Sequence, residues 1–230
     1  IMFLRYYQKL DDAISYLFSS NINEKKLLKK IFKKKKIVLV DIGANEGNYI
    51  DLISKNLKIK KIFCFEPIKE LSDKIHNRYS DNNLIISNLA LSNKKSKRNF
   101  YQYSISSTSS LYKQNNLYKS LKKLQNIKKI QTSTFDNIFK KNLKIDICKI
   151  DVQGEDYKVI IGMKNNLKKK NIRILKIELS LEKFYEKTES NFYEILFFLK
   201  RLNYQLISIS KIKYKDEKIT FMDAYFEYKK

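Results

Sequence analysis

The chain has 230 residues, of which 43% are hydrophobic and 13% aromatic, a composition typical of a globular protein and not of a disordered one. It carries 48 Lys and Arg against 24 Asp and Glu, a formal net charge of +24. A charge of this size ordinarily suggests a nucleic acid or an anionic surface, but most of the excess is lysine spread along the chain, whereas arginine is the side chain that binds phosphates and bases with two parallel hydrogen bonds. We therefore expect a solvated lysine-rich surface rather than a nucleic-acid site, with a weak attraction to anionic glycans or lipid head groups as the alternative.

From the sequence we expect neither a secretory signal nor a membrane-spanning segment. No stretch approaches the roughly 18 apolar residues that a membrane-spanning helix needs, and the first residues lack the pattern of a secretory signal. We therefore expect a cytoplasmic protein. Cys64 and Cys148 both lie in apolar runs, which predicts buried thiols.

The first 35 residues show two helical patterns. Apolar residues from Phe3 to Leu17 fall near helical spacing, and a second, shorter pattern runs from Glu24 to Phe32 before four lysines. The length fits one domain. We expect residues 1–35 to form a helical cap on a main domain that comprises residues 36–230.

Residues 36–48, K-I-V-L-V-D-I-G-A-N-E-G-N, form the first strong motif. A buried parallel strand over residues 37–41 ends in Asp41, and a glycine loop (residues 43–47) precedes a helix. Gly43 and Gly47 allow the backbone to approach a ligand closely. The dinucleotide fingerprint needs a third glycine, and an acid at the turn repels a diphosphate but attracts an ammonium and a sulfonium. The motif thus favours S-adenosylmethionine (SAM) over NAD.

A second strand over residues 61–65 also ends in an acid, Glu66, which is placed to accept both hydroxyls of a ribose. Pro67, the only proline, stops that strand. The next helix, residues 68–79, carries the only histidine, His76, on a segment that runs away from the expected site. A third strand over residues 84–90 places Asn88 and Leu89 beside the ligand's base.

Three weaker patterns follow. Alternation over residues 99–104 and 127–132 predicts two outer strands, and Thr134 is expected to cap a short helix. Between the strands, the serine loop (residues 106–111) is either a flexible connection or a segment that faces the substrate.

The second strong motif is a buried strand over residues 145–151 that ends in Asp151 and is followed by Gly154, Glu155 and Asp156. In a doubly wound sheet this strand lies beside the first one, so Asp151 should face the same crevice as Asp41. Glu155 and Asp156 are also explained by capping of the next helix.

A fifth strand over residues 172–178 ends in Glu178. An amphipathic helix over residues 190–202 and an antiparallel pair, residues 204–208 and 219–225, complete the pattern.

Taken together, these motifs resemble the FkbM-type family of SAM-dependent methyltransferases. The matching pieces, in order along residues 37–210, are D-I-G-A-N-E-G at 41–47, F-E-P at 65–67, N-L-A-L-S at 88–92, the end of the serine loop, T-F-D at 134–136, I-D-V-Q-G-E at 150–155 and I-E at 177–178. One departure is Gln153, where the family usually has Glu.

The resemblance implies an α/β, Rossmann-like class I methyltransferase with helices on both faces of a seven-stranded, mostly parallel sheet that has one antiparallel strand. It implies O-methylation of a hydroxyl on a small molecule, such as a sugar or secondary metabolite, or on a glycan. In this interpretation the cofactor SAM is held by residues of the first three strand ends: Asp41, Gly43, Asn45, Gly47, Glu66, Asn88 and Leu89.

A hydroxyl acceptor must lose a proton, so a base should lie within reach of it. The candidate catalytic residues are Asp151, Glu155 and Glu178. The sequence leaves metal use open, because Asp151 and Glu178 could share an ion although no cluster of ligands demands one. An RNA-modifying methyltransferase and a non-catalytic SAM- or nucleoside-binding module are the alternatives, although a chain with one proline cannot contain the proline-rich loop used on base nitrogens.

Overall fold

The computed structural model describes residues 24–33, 35–79, 83–115, 123–188, 192–215 and 217–229. The predicted helix over residues 3–17 lies outside this part of the chain. The second predicted helix is present as α1, Glu24–Phe32. None of the helices in the described ranges is long and apolar enough to cross a membrane.

A seven-stranded sheet forms the centre of the described part of the chain. In spatial order its strands are β3 (Leu84–Ser87), β2 (Ile59–Phe65), β1 (Ile37–Ile42), β7 (Ile145–Ile150), β8 (Ile172–Ser180), β10 (Lys218–Tyr228) and β9 (Tyr204–Lys215). Only β10 runs against the others, since it pairs antiparallel with both β8 and β9. The predicted class I methyltransferase fold is confirmed.

Helices cover both faces of this sheet, as predicted. They are α2 (Asn48–Ser54), α3 (Lys69–Arg78), α4 (Phe135–Ile138), α5 (Asp156–Gly162), α6 (Lys164–Lys168) and α7 (Phe192–Arg201). Because side chains alternate along a strand, the two faces of β1 contribute to two different hydrophobic clusters. Ile37 and Leu39 belong to the cluster with α1, α2 and α3, whereas Val38 and Val40 belong to the cluster with α5, α6 and α7.

A separate three-stranded sheet holds β4 (Ala90–Leu91), β6 (Leu124–Ser133) and β5 (Ser96–Tyr103), in that spatial order. The two outer strands predicted at 99–104 and 127–132 are therefore partners of each other.

The third predicted strand is shorter than expected. It ends at Ser87, where the Leu89 amide donates to the Ser87 carbonyl over 2.9 Å, and Ala90 begins the second sheet. Thr134 caps α4 as predicted, because its side chain accepts from the Asn137 amide.

Candidate active site

A cavity of about 420 Å³ lies at the carboxyl ends of β1, β2, β7 and β8. This is the edge of an open α/β sheet where ligands bind. The glycine loop and the ends of β2 and β3 form one side, and the ends of β7 and β8 with the β9–β10 hairpin form the other. The serine loop lines the cavity between these two sides, so it faces the site, one of its two predicted roles.

The glycine loop takes its shape from a close approach to β7. Gly43 has a φ of 76°, and a Cβ added there would lie 1.9 Å from the backbone oxygen of Asp151. Gly47, with a φ of 80°, stands at the start of α2 and packs near Ile75, behind the cavity wall. Asn45 lies in the wall. Only Gly43 and Asn45 of the three loop residues predicted to bind the cofactor therefore face the cavity.

Glu66 ties the glycine loop to the end of β2. Its carboxylate accepts hydrogen bonds from the Asn45 amide over 2.7 Å and from the Ile68 amide over 2.8 Å. The side chain lines the cavity but is only 4% exposed. Burial raises the pKa of Glu66 to about 7. Its remaining lone pairs are available to a ligand on the cavity side.

The end of β3 contributes one of its two predicted residues to the cavity wall. Leu89 lines the cavity. Asn88 is exposed and lies outside that wall, and its side-chain nitrogen donates to the Glu66 carbonyl over 2.9 Å. The expectation that Asn88 faces the ligand's base is therefore corrected: this geometry makes it a support for Glu66.

Asp41 also differs from the expectation, since it lies beneath the cavity and is completely buried. Lys149, its cross-strand neighbour in β7, donates to the Asp41 carboxylate over 3.1 Å and lies 3.4 Å from Asp151. The Lys149 ammonium thus bridges the two acids. Asp41 anchors this cation, and any attraction of Asp41 for a cationic ligand is offset by the lysine between the acids.

Asp151 and Glu178, named here the carboxyl pair, meet at the far side of the cavity from Glu66. The Gln153 side-chain nitrogen donates to both, over 2.8 Å to Asp151 and 2.6 Å to Glu178. The nearby Lys149 ammonium lowers the pKa of Asp151. Burial, together with the negative charge on Asp151, raises the pKa of Glu178 to about 8. The pair therefore shares a proton near neutral pH.

Glu155, the third acid predicted to be catalytic, is not in the cavity wall. It is fully buried, accepts from the Ser92 hydroxyl over 2.5 Å and forms an ion pair with Arg98 of β5. The Arg98 guanidinium in turn lies over the Tyr112 ring. Glu155 joins the small sheet to the start of α5, so a role as general base is corrected to one in folding.

We expect Glu155→Gln to lower the free energy of unfolding by about 3 kcal/mol, because the change leaves the partly buried Arg98 without its counter-charge. Urea denaturation of the purified variant measures this loss. Cofactor affinity should stay within about twofold of the unchanged protein, since the described side-chain partners of Glu155, Ser92 and Arg98, do not line the cavity. A variant of unchanged stability with lost cofactor binding would contradict this assignment.

Four lysines that the sequence motifs did not predict line the cavity: Lys149 and Lys176 near strand-end acids, and Lys211 and Lys213 in β9. Lys176 is only 2% exposed and lies 2.9 Å from Asp223 and 3.3 Å from Glu24 of α1. A signal was available in the sequence. Lys149 and Lys176 each stand two residues before a strand-end acid, in K-I-D and K-I-E. Because side chains alternate along a strand, the lysine and the acid two residues later lie on the same face.

A model of the Methyltransferase FkbM domain family matches residues 41–206, well over half of the chain. No curated protein matches the chain significantly.

Two solved structures illustrate the likeness in fold. Methyltransferase FkbM from Methylobacillus flagellatus KT is 14% identical with a TM-score of 0.52, and the match covers 82% of this chain and 43% of that one. An rRNA methylase from Streptococcus thermophilus is 11% identical with a TM-score of 0.50, and the match covers 89% and 93% of the two chains. The chain therefore spans less than half the length of the first of these. Because the family model covers well over half of the chain, the chain belongs to the FkbM family of SAM-dependent methyltransferases.

Proposed function

We propose that this protein is an O-methyltransferase that moves the methyl group of SAM to a hydroxyl on a sugar, a glycan or a secondary metabolite. One observation carries the proposal: a single cavity has residues suited to a nucleoside at one end and the carboxyl pair at the other. A hydroxyl is a weak nucleophile that must lose its proton at or after transfer, and a nearby carboxylate is a group that can take it.

The residues at the first end fit SAM. The cavity volume of about 420 Å³ lies within the usual range for a small-molecule site. Gly43 and Asn45 line it without a bulky side chain at Gly43, Glu66 presents a buried carboxylate for ribose hydroxyls, and Leu89 presents an apolar surface for adenine. When bound, SAM supplies a methyl group already activated by its sulfonium.

The chain's own contribution to the reaction is positioning and a proton acceptor. The glycine loop and Glu66 fix one reactant, and the walls around the carboxyl pair hold the other in line with it. Glu178 in its ionised form accepts the proton of the hydroxyl. Asp151 is the weaker base because Lys149 holds its pKa low. Phe65, Leu91 and Val152 help to exclude water from the same cavity.

The proposal is tested with the purified protein and methyl-labelled SAM. Label is followed into four separate acceptor pools: monosaccharides, nucleotide sugars, polysaccharides and total RNA. Transfer to a hydroxyl of a pool without RNA supports the proposal. Label that enters RNA and is released by ribonuclease would replace it with an RNA methyltransferase, and SAM binding without transfer to any pool would support a non-catalytic module.

The raised pKa of Glu66 leads to a prediction on cofactor affinity. The ribose hydroxyls donate hydrogen bonds, which an ionised carboxylate accepts more strongly than a protonated one. Because the pKa of Glu66 is about 7, the ionised fraction rises between pH 6 and pH 8, and we expect SAM to bind up to about tenfold more tightly at the higher pH. Calorimetric titrations at both pH values measure the change.

The matching variant, Glu66→Gln, should bind SAM about 10- to 100-fold more weakly and lose this part of the pH dependence. Glu46→Gln is the control, since Glu46 is exposed in the same loop. If Glu66→Gln kept both the affinity and the pH slope of the unchanged protein, Glu66 would not bind the ribose.

A further inference from the structure

Gln153 lies at the turn between β7 and α5 with a φ of 54°, in the left-handed region. Its side-chain nitrogen is within hydrogen-bond distance of both members of the carboxyl pair. From this geometry we propose that Gln153 is a positioning residue, which holds Asp151 and Glu178 against each other so that they act as one proton acceptor. The inference rests on the proposed function only for the source of the proton that the pair accepts, which would be the hydroxyl of the methyl acceptor.

The orientation of the Gln153 amide is determined by its partners. Asp151 is ionised because Lys149 lowers its pKa, and an ionised carboxylate only accepts hydrogen bonds, so the NH₂ group must face the pair, with one N–H directed to Asp151 and the other to Glu178. The amide oxygen then points the other way and accepts from the Tyr185 hydroxyl over 2.7 Å. Tyr185 thereby keeps the donors turned toward the acids.

The backbone around Gln153 is held by residues from two other segments. The Ser110 hydroxyl of the serine loop donates to the Gln153 carbonyl over 2.6 Å. A Cβ at Gly154 would lie 2.9 Å from Thr188 and 3.2 Å from the Tyr185 ring, so the glycine allows Tyr185 to come close. These contacts keep Gln153 in its unusual conformation, which costs free energy when nothing supports it.

Charged and titratable groups from every neighbouring element act on the pair. They are Asp41 from β1, Lys149 from β7, Asp156 from α5, Asp223 from β10 and Tyr185. Lys149 lowers the pKa of Asp151, whereas burial and the acids raise that of Glu178. A neutral amide suits this balance, because it stabilises the ionised oxygens without adding a charge of its own.

The proton transfer that the pair would serve is balanced. A bond forms between the acceptor oxygen and the methyl carbon, and the carbon–sulfur bond breaks with its electron pair remaining on sulfur. The hydroxyl proton passes to the ionised Glu178, which becomes neutral while Asp151 keeps its charge beside Lys149. Gln153 exchanges no proton and keeps the two carboxyl groups in place throughout.

The test measures the pair directly and needs no acceptor. The protein is labelled with ¹³C at Asp and Glu carboxyl carbons and titrated by NMR from about pH 5 to about pH 10. The Glu178 signal is assigned by its loss in Glu178→Gln. Gln153→Met keeps the side-chain length but removes both donors, so the titration midpoint of Glu178 should rise by about one pH unit.

Two further variants complete the test. Tyr185→Phe keeps the ring but frees the amide to turn, and it should move the Glu178 midpoint upward by a smaller amount. Gln131→Met, on an exposed part of β6, is the control and should leave the midpoint unchanged. An unchanged midpoint in Gln153→Met would overturn the inference; if that variant does not fold, an unchanged midpoint in Tyr185→Phe would do so.

The outcome is separable from that of the methyl-transfer assay. A shifted midpoint without methyl transfer to any pool would retain Gln153 as the residue that pairs the acids and overturn the proposed function. Methyl transfer with an unshifted midpoint would retain the function and remove Gln153 from the pairing.

Discussion

Glu178→Gln is expected to lower kcat for methyl transfer by about 10²- to 10⁴-fold, the usual contribution of a general base. Glutamine has almost the same shape but cannot accept a proton, so cofactor affinity should stay within about twofold. Because the base must be ionised and its pKa is about 8, the rate of the unchanged protein should rise with pH up to about that value. The variant should lose this rise. Single-turnover rates over a pH series measure both effects.

Two comparisons make the Glu178 result specific. Glu217→Gln removes the same charge at an exposed position before β10 and should leave kcat unchanged. Asp151→Asn should reduce kcat less than Glu178→Gln does, since Lys149 already makes Asp151 a poor base. Unchanged turnover in Asp151→Asn would remove Asp151 from the mechanism, and unchanged turnover in Glu178→Gln would assign the base elsewhere.

Gly43→Ala is expected to have the largest effect on stability, a loss of about 3–5 kcal/mol in the free energy of unfolding. The new Cβ would lie 1.9 Å from the Asp151 carbonyl oxygen, a backbone atom that moves only if the end of β7 moves. A φ of 76° adds strain for any residue with a side chain. Urea denaturation measures the loss, and SAM titration of the folded fraction should show weakened binding.

Gly47→Ala is the matched control for that experiment. Its φ of 80° brings a similar backbone strain, but its Cβ would meet side-chain atoms and no backbone, Ile75 at 3.3 Å and the Tyr79 ring at 3.7 Å. We expect a loss of about 1–2 kcal/mol from the backbone conformation alone. If the two alanine variants lost equal stability, the close approach of Gly43 to β7 would not be the cause.

The secondary structure of the main domain follows from local patterns. The apolar runs that lead to Asp41, Glu66, Asp151 and Glu178 are strands as predicted, because apolar, β-branched residues between turn residues favour an extended backbone. The boundary after β3 was wrong by three residues, since the turn at Asn88 that separates the two sheets depends on its bond to the Glu66 carbonyl. Such a contact, 22 residues away in sequence, leaves no local pattern.

By itself, the sequence determined where the main strands lie, that β7 lies beside β1, and which chemistry is available at the strand ends. Only the tertiary structure decided which acids face the cavity, because an acid at a strand end has the same local pattern whether it binds a ligand or a neighbouring cation. Lys149 from the adjacent strand bridges Asp41 and Asp151, and Arg98 from the small sheet pairs with Glu155. Glu178 keeps a raised pKa because burial and neighbouring acids act on it together. The contacts of Lys149 with Asp41 and of Arg98 with Glu155 join segments far apart in the chain, and they form only when the strands and the two sheets pack.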